Sequence, residues 1–148
     1  MSQSTTEMWM GIRGIIRLYE KMLKSVCAEY QLTVIEADII SFLQNNPEKD
    51  TAADIVELRM LSKGAVSKAV ESLLQKSLLM RQTDTQDRRR IHLKLRPEAG
   101  PIMKQIEIVQ KEFRNTIMDG FTEEDMKKYM ELKDRILANT RRAMERRD

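Results

Sequence analysis

Apolar side chains over residues 8–28 fall at Met8, Ile12, Ile15, Tyr19, Met22 and Val26, three or four positions apart. That spacing predicts a helix with one buried stripe. Thr33 and Glu36 have the form of a capping box, so a second helix is expected from there to about Asn45, stopped by Asn46-Pro47. Thr51-Ala-Ala-Asp54 gives another start signal and opens a short helix to about Arg59, and Ser62 caps one that reaches about Lys76. Two short helices joined by a tight turn suggest a helix-turn-helix, although many helical hairpins share the spacing. The period then changes from helical to alternating. Residues 78–83 and 91–95 read as strands around the polar stretch 84–90, and Ile91, Leu93 and Leu95 alternate with His92, Lys94 and Arg96. A hairpin with one apolar and one basic or ionisable face, following a helix-turn-helix, makes a winged helix. Pro97 suits the first turn of a further helix, which keeps its period through Ile102, Ile106, Val109, Phe113 and Ile117 and ends near Gly120. Thr122 with Glu123, Glu124 and Asp125 caps the last helix, striped by Met126, Tyr129, Met130, Lys133, Ile136, Leu137, Thr140 and Met144. Arg141, Arg142, Arg146 and Arg147 sit at its negative end.

The expected fold class is mainly α with a small β-hairpin wing: a winged helix-turn-helix flanked by N- and C-terminal dimerisation helices. One domain would span residues 1–148, with a winged-helix DNA-binding region at 33–96 and a helical dimerisation region at 8–28 plus 97–146. The terminal helices are too long to fold back entirely onto the small central module. Their stripes ask for a second copy of the chain, with first and last helices interleaved about a two-fold axis; an intramolecular bundle is the competing arrangement.

Composition agrees with this outline. Apolar residues are 41% of 148, enough for one core, while 33% charged residues, 5% aromatics and 11 methionines favour long amphipathic helices over a sandwich or barrel. The single Cys27 can form neither an internal disulfide nor a zinc cage, which fits a reducing cytoplasm. No apolar run approaches the roughly 20 residues that cross a bilayer, and residues 1–7 lack the basic-then-apolar order of a signal peptide, so a soluble cytoplasmic protein with no membrane partner is expected. His92 is the only histidine, and no glycine-rich phosphate loop or metal-spaced cluster occurs, so neither catalysis nor a cofactor is expected.

Charge is uneven along the chain. Residues 59–96 hold ten Lys/Arg against three Asp/Glu, or +7, whereas the remainder holds sixteen against twenty, or −4, for the total of +3. A basic segment in an otherwise acidic protein concentrates positive potential where a polyanion can dock; taken alone, a solvated charged surface explains it equally well.

Within that segment, Val66, Val70, Leu73 and Ser77 share one face of the helical wheel, and Gly64, Ser67, Lys68, Glu71 and Gln75 the other. The N-terminal end of a recognition helix enters the major groove and wants small or polar residues there. Gly64 lets the backbone approach, Ser67 can bond bases or phosphates, and Lys68 can reach guanine edges or the backbone. Lys63 and the positive helix end at Ser62 favour phosphate. Arg88, Arg89 and Arg90 stand at the return of the hairpin, where arginines can enter a minor groove or pair with phosphates. Asp87 would bond a neighbouring arginine and fix its aim. A plain surface ion-pair cluster, worth at most about 1 kcal/mol, is the alternative, but three arginines against Asp84 and Asp87 leave net positive charge.

Over residues 54–100, DIVELRMLSKGAVSKAVESLLQKSLLMRQTDTQDRRRIHLKLRPEAG, the chain resembles the MarR family of bacterial regulators. A recognition helix carrying Ser67-Lys68, a leucine-rich turn, the wing motif Asp87-Arg88-Arg89 and the closing Leu95-Arg96-Pro97-Glu98-Ala99-Gly100 occur in the family's order. The family commonly has glycine where Ser77 stands and threonine where Arg96 stands, which bears on turn geometry and not on groove reading. The resemblance implies a triangular homodimer on a pseudo-palindromic operator in double-stranded DNA, with half-sites about one helical turn apart. It further implies repression relieved by a small phenolic or lipophilic effector, held in a crevice where Met8, Trp9, Ile12 and Met60 are the candidate lining residues. Some members sense oxidants through a cysteine near the first helix. Cys27 has Lys24 but also Glu29 nearby and no second cysteine in its chain, so a small buried residue is the better reading. A sequence-independent architectural nucleic-acid binder and a helical interaction protein are the rival functions.

Overall fold

The computed structural model describes residues 4–146, so residues 1–3, Arg147 and Asp148 lie outside the described part. Six helices and one hairpin follow in the order α1 (Thr5–Tyr30), α2 (Val34–Asn45), α3 (Ala52–Arg59), α4 (Lys63–Gln75), β1 (Leu79–Thr83), β2 (Ile91–Leu95), a 3₁₀ turn (Pro97–Ala99), α5 (Gly100–Ile117) and α6 (Glu123–Glu145). The mainly helical fold with a two-stranded antiparallel wing is the one expected.

Local chemistry sets most of the boundaries. Thr33 with Glu36, Thr51 with Asp54 and Thr122 with Asp125 form reciprocal capping boxes that satisfy otherwise orphaned N–H groups. Ser62 caps α4 by accepting from the Ala65 N–H at 3.1 Å. Helix α1 gains a turn at its start, where Ser4 caps it through the Thr6 N–H, and runs on to Tyr30, where Gln31 turns left-handed and ends it. Leu78 precedes the first strand instead of joining it, and Pro97 starts a 3₁₀ turn before α5 instead of α5 itself.

The described residues form two compact units that divide between Phe113 and Arg114. In the first, Leu23 of α1, Ile39 and Ile40 of α2, Ile55 of α3, Val66 and Leu73 of α4, Leu79 of β1 and Ile106 of α5 are fully buried around one centre. Gln110 of α5 donates to the Tyr19 hydroxyl at 3.2 Å and to Ser41 at 2.9 Å, and the Tyr19 and Phe113 rings meet edge to face at 5.2 Å. Burial raises the Tyr19 pKa above its ordinary value. Glu36 is buried yet fully engaged: it accepts from the Thr33 N–H, from Ser72 at 3.1 Å and from Lys76 at 2.9 Å, tying the start of α2 to the end of α4. Burial disfavours the Glu36 carboxylate, but those bonds outweigh it and hold its pKa low. Cys27 is buried, and desolvation with nearby Asp38 and Glu36 pushes its thiol pKa up, the reverse of an activated thiolate. In the second unit, α6 has no buried residue in the single chain. Among the described residues no helix is long and apolar enough to cross a membrane.

Ser77 lies past the end of α4, exposed, with φ +60°, and joins neither face of that helix. An L-residue in the left-handed region costs about 1–2 kcal/mol, which glycine avoids at the expense of a floppier unfolded chain. Ser77→Gly is therefore expected to raise the unfolding free energy by about 0.5–1 kcal/mol, read as a higher urea midpoint at unchanged slope.

Candidate nucleic-acid interface

The turn between α3 and α4 is made by Met60 at φ +55° and by Leu61, which packs against the core. It leaves Val66, Ala69, Val70 and Leu73 of α4 buried. The opposite face, with Ser62, Lys63, Gly64, Ser67, Lys68 and Glu71, is exposed. A Cβ added at Gly64 would meet nothing within 4 Å, so the space beside it is open to an outside partner. Glu71 pairs with Arg81 of β1 at 2.9 Å, joining the helix to the hairpin at its surface.

The hairpin pairs in register from Leu79 opposite Leu95 to Thr83 opposite Ile91. Its connection is an ordered turn. Asp84 Oδ2 accepts from the backbone N–H of Gln86 at 3.0 Å and of Asp87 at 2.9 Å, and the Asp84 N–H donates to the Arg90 carbonyl. Asp87 Oδ1 accepts from the Arg89 N–H at 3.0 Å, with Arg89 Nε at 3.5 Å. Asp87 thus touches both backbone and side chain of one arginine, while Arg88, Arg89 and Arg90 all remain exposed. Arg89 is the extreme case, with 94% of its side chain open.

Two grooves connect these parts. One, of about 500 Å³, runs between α3, α4 and the hairpin and is lined by Lys63, Val66, Ser67, Val70, Arg81 and Leu93 together with Ala52 and Ala53. The other lies between the start of α3 and the wing, where Asp87, Arg89 and Arg90 face the same Ala52 and Ala53. Sharing those two alanines, α4 and the wing border one continuous surface.

Beneath the wing sits a polar cluster that sequence spacing did not disclose. Asp50, in the loop before α3, is 4% exposed. Its Oδ1 lies 2.6 Å from His92 Nδ1, its Oδ2 accepts from Lys94 Nζ at 2.6 Å, and its carbonyl accepts from the Leu93 N–H at 2.7 Å. The other ring nitrogen, His92 Nε2, lies 2.7 Å from Asp84 Oδ1. Bonding to His92 and to two backbone N–H groups lowers the Asp84 pKa to about 2. Asp50 is held below its ordinary value despite burial, and the two carboxylates push His92 above 6.5. Asp50 stands 42 residues from His92, so nothing local in the sequence linked them.

Met8, Trp9 and Ile12 lie on α1 and Met60 ends α3. With exposures of 48%, 56%, 40% and 71%, they stand open on the surface of the single chain.

A profile of the MarR family matches residues 30–90. No curated protein sequence matches the chain. In fold the chain is similar to a MarR protein from Peptoclostridium difficile, 14% identical with a TM-score of 0.81, the match covering 95% of this chain and 91% of that one. It is also similar to MepR of S. aureus in its complex with DNA, 17% identical with a TM-score of 0.75 over 93% and 99% of the two chains. A third likeness is to Bordetella bronchiseptica BpsR, whose DNA binding is regulated by 6-hydroxynicotinic acid, 15% identical with a TM-score of 0.69 over 88% and 98%.

Proposed function

We propose that the chain is a MarR-family winged helix-turn-helix regulator of transcription that binds DNA and is not an enzyme, and that it acts as a cytoplasmic homodimeric repressor of a pseudo-palindromic operator, released by a small phenolic or lipophilic effector. The continuous surface from α4 to the wing carries this reading. Gly64, Ser67 and Lys68 enter one major groove, Lys63 and the start of α4 at Ser62 meet phosphate, and Arg88, Arg89 and Arg90 reach the adjacent minor groove or its phosphates. Asp87 aims Arg89.

Dimerisation is supported by α6, whose Met130, Ile136, Leu137 and Met144 are 46–64% exposed, and separately by the exposed first half of α1. A second copy would cover such faces and set two winged helices about 34 Å apart on the duplex. It would also turn the exposed Met8, Trp9, Ile12 and Met60 into walls of an effector crevice. An effector releases DNA only by binding the released shape more tightly than the bound one. BpsR, whose DNA binding is regulated by 6-hydroxynicotinic acid, supports a small aromatic effector.

The test is selection of duplexes from a random-sequence pool, followed by fluorescence anisotropy of the enriched duplex across a salt series, with Arg89→Ala alongside. A two-fold symmetric motif, a steep salt slope and a loss of about 1–3 kcal/mol in the variant are expected. Salt-dependent binding without enrichment would replace this reading with an architectural binder, and no binding at all with a helical interaction protein.

A further inference from the structure

We propose that His92, as an imidazolium bonded by both ring nitrogens, is the positioning residue that pins the wing to the loop before α3 and makes DNA binding fall as pH rises. The inference rests on the DNA-binding reading above and adds to it a residue that touches no DNA. Two distances carry it: Nδ1 to Asp50 Oδ1 at 2.6 Å and Nε2 to Asp84 Oδ1 at 2.7 Å. Both partners are carboxylate oxygens, which only accept. A neutral imidazole has one N–H, so one of the two contacts would set lone pair against lone pair; only the cation satisfies both.

A proton on either carboxylate is the alternative, and the surroundings oppose it. Asp84 Oδ2 already accepts two backbone N–H bonds, and Asp50 Oδ2 accepts from Lys94, so each carboxylate is held in its ionised form. The charged groups about the ring are Asp50 from the loop, Asp84 from the wing root, Lys94 from β2 and Glu48 on the wall of the same cavity. Asp50, Asp84, His92 and Lys94 sum to zero charge when His92 is protonated and to −1 when it is not.

Geometry gives the pin its reach. Asp84 organises the whole wing turn through Gln86 and Asp87, and Asp87 in turn holds Arg89. Asp50 belongs to the segment that leads into α3. Loss of the ring proton frees Asp84 from Asp50, and with it the fixed relation between the wing arginines and the helix-turn-helix. The sign follows from the partners. His92 binds its proton more tightly in the folded, pinned state than its ordinary value of 6.5, so the pin is complete below 6.5 and is lost as pH climbs through the raised value.

Because His92 is the only histidine in the sequence, its ring resonances identify themselves in an NMR titration of the intact protein. Expected are a midpoint above 6.5 and both ring nitrogens protonated at pH 6.5. A midpoint at or below 6.5 overturns the pin, whatever the DNA data show. The second arm is anisotropy with the selected duplex at pH 6.5 and 8.5 for the native chain, His92→Gln and His92→Arg. The native affinity is expected to drop about tenfold over that range, a usual size for coupling between sites. His92→Gln is expected to be weak and flat, and His92→Arg, cationic throughout, to be flat and tighter than His92→Gln. A fall in His92→Gln equal to the native one overturns the link to DNA. If no duplex is enriched, the DNA-binding reading fails and the titration still decides the pin.

Discussion

Ile136→Glu is expected to convert the protein from a species of twice 17.3 kDa to one of 17.3 kDa at micromolar concentration, measured by light scattering behind gel filtration. In the single chain Ile136 is 64% exposed, and exposed substitutions ordinarily move stability by no more than about 0.5 kcal/mol. A monomer would therefore barely register the change. In a two-fold interface it enters twice, placing two carboxylates in an apolar seam where neither has a partner. A hundredfold loss in dimer affinity, about 2.7 kcal/mol, is a modest estimate for that arrangement. DNA binding follows, because joining two half-site contacts in one molecule is worth about 10²–10⁴ in affinity and a monomer forfeits it. An unchanged mass would remove this face of α6 from the interface. A variant monomer that also melts would point to an intramolecular bundle instead.

Such an experiment addresses the part of the molecule where sequence pattern says most and the single chain least. The stripe of α6 is plain in the spacing of Met126, Met130, Ile136, Leu137 and Met144, yet the chain buries none of it. Elsewhere the pattern translated directly into structure where local chemistry decides the outcome. Thr33, Thr51, Ser62 and Thr122 cap helices because a short hydroxyl bonding two or three residues ahead needs nothing from the rest of the fold. Alternation in residues 91–95 placed the second strand because a half-buried hairpin has period two. Turns were harder. Gln31, Met60 and Ser77 all adopt positive φ without being glycine or asparagine, so the usual sign of a left-handed turn was missing at each. The Asp50–His92–Asp84 cluster was out of reach for another reason. His92 was visible as an ionisable residue on the strand's polar face, but its partner comes from a loop 42 residues earlier, and only the folded core brings that loop beside the hairpin. The residues expected to touch DNA, picked out from one wheel and one turn, are exposed surface positions.

Leu73→Ala is expected to lower the unfolding free energy by about 2–5 kcal/mol, a large share of the roughly 5–15 kcal/mol that holds a domain together. Leu73 has 0% of its surface exposed and lies on α4, which packs against α2, α3 and β1 at once. Its carbonyl also accepts the Leu78 N–H at 3.0 Å, so the backbone that turns into the hairpin hangs from this residue. Truncation removes the transfer energy of the lost methyl groups and leaves a cavity that three elements border, which limits how far the site can collapse. The measurement is urea unfolding of native and variant chains at equal protomer concentration, since the stability of a dimer would depend on mass action. A loss nearer 5 kcal/mol would mean that the neighbours hold their places around the void, and one nearer 2 that they close in. A loss under 1 kcal/mol would contradict the burial and deny α4 its role as the shared support of helix and wing. In conditions where the variant stays folded, its DNA affinity should fall less than its stability. The side chains expected to face the groove are untouched, and only the precision with which α4 is held between α2 and the hairpin has changed.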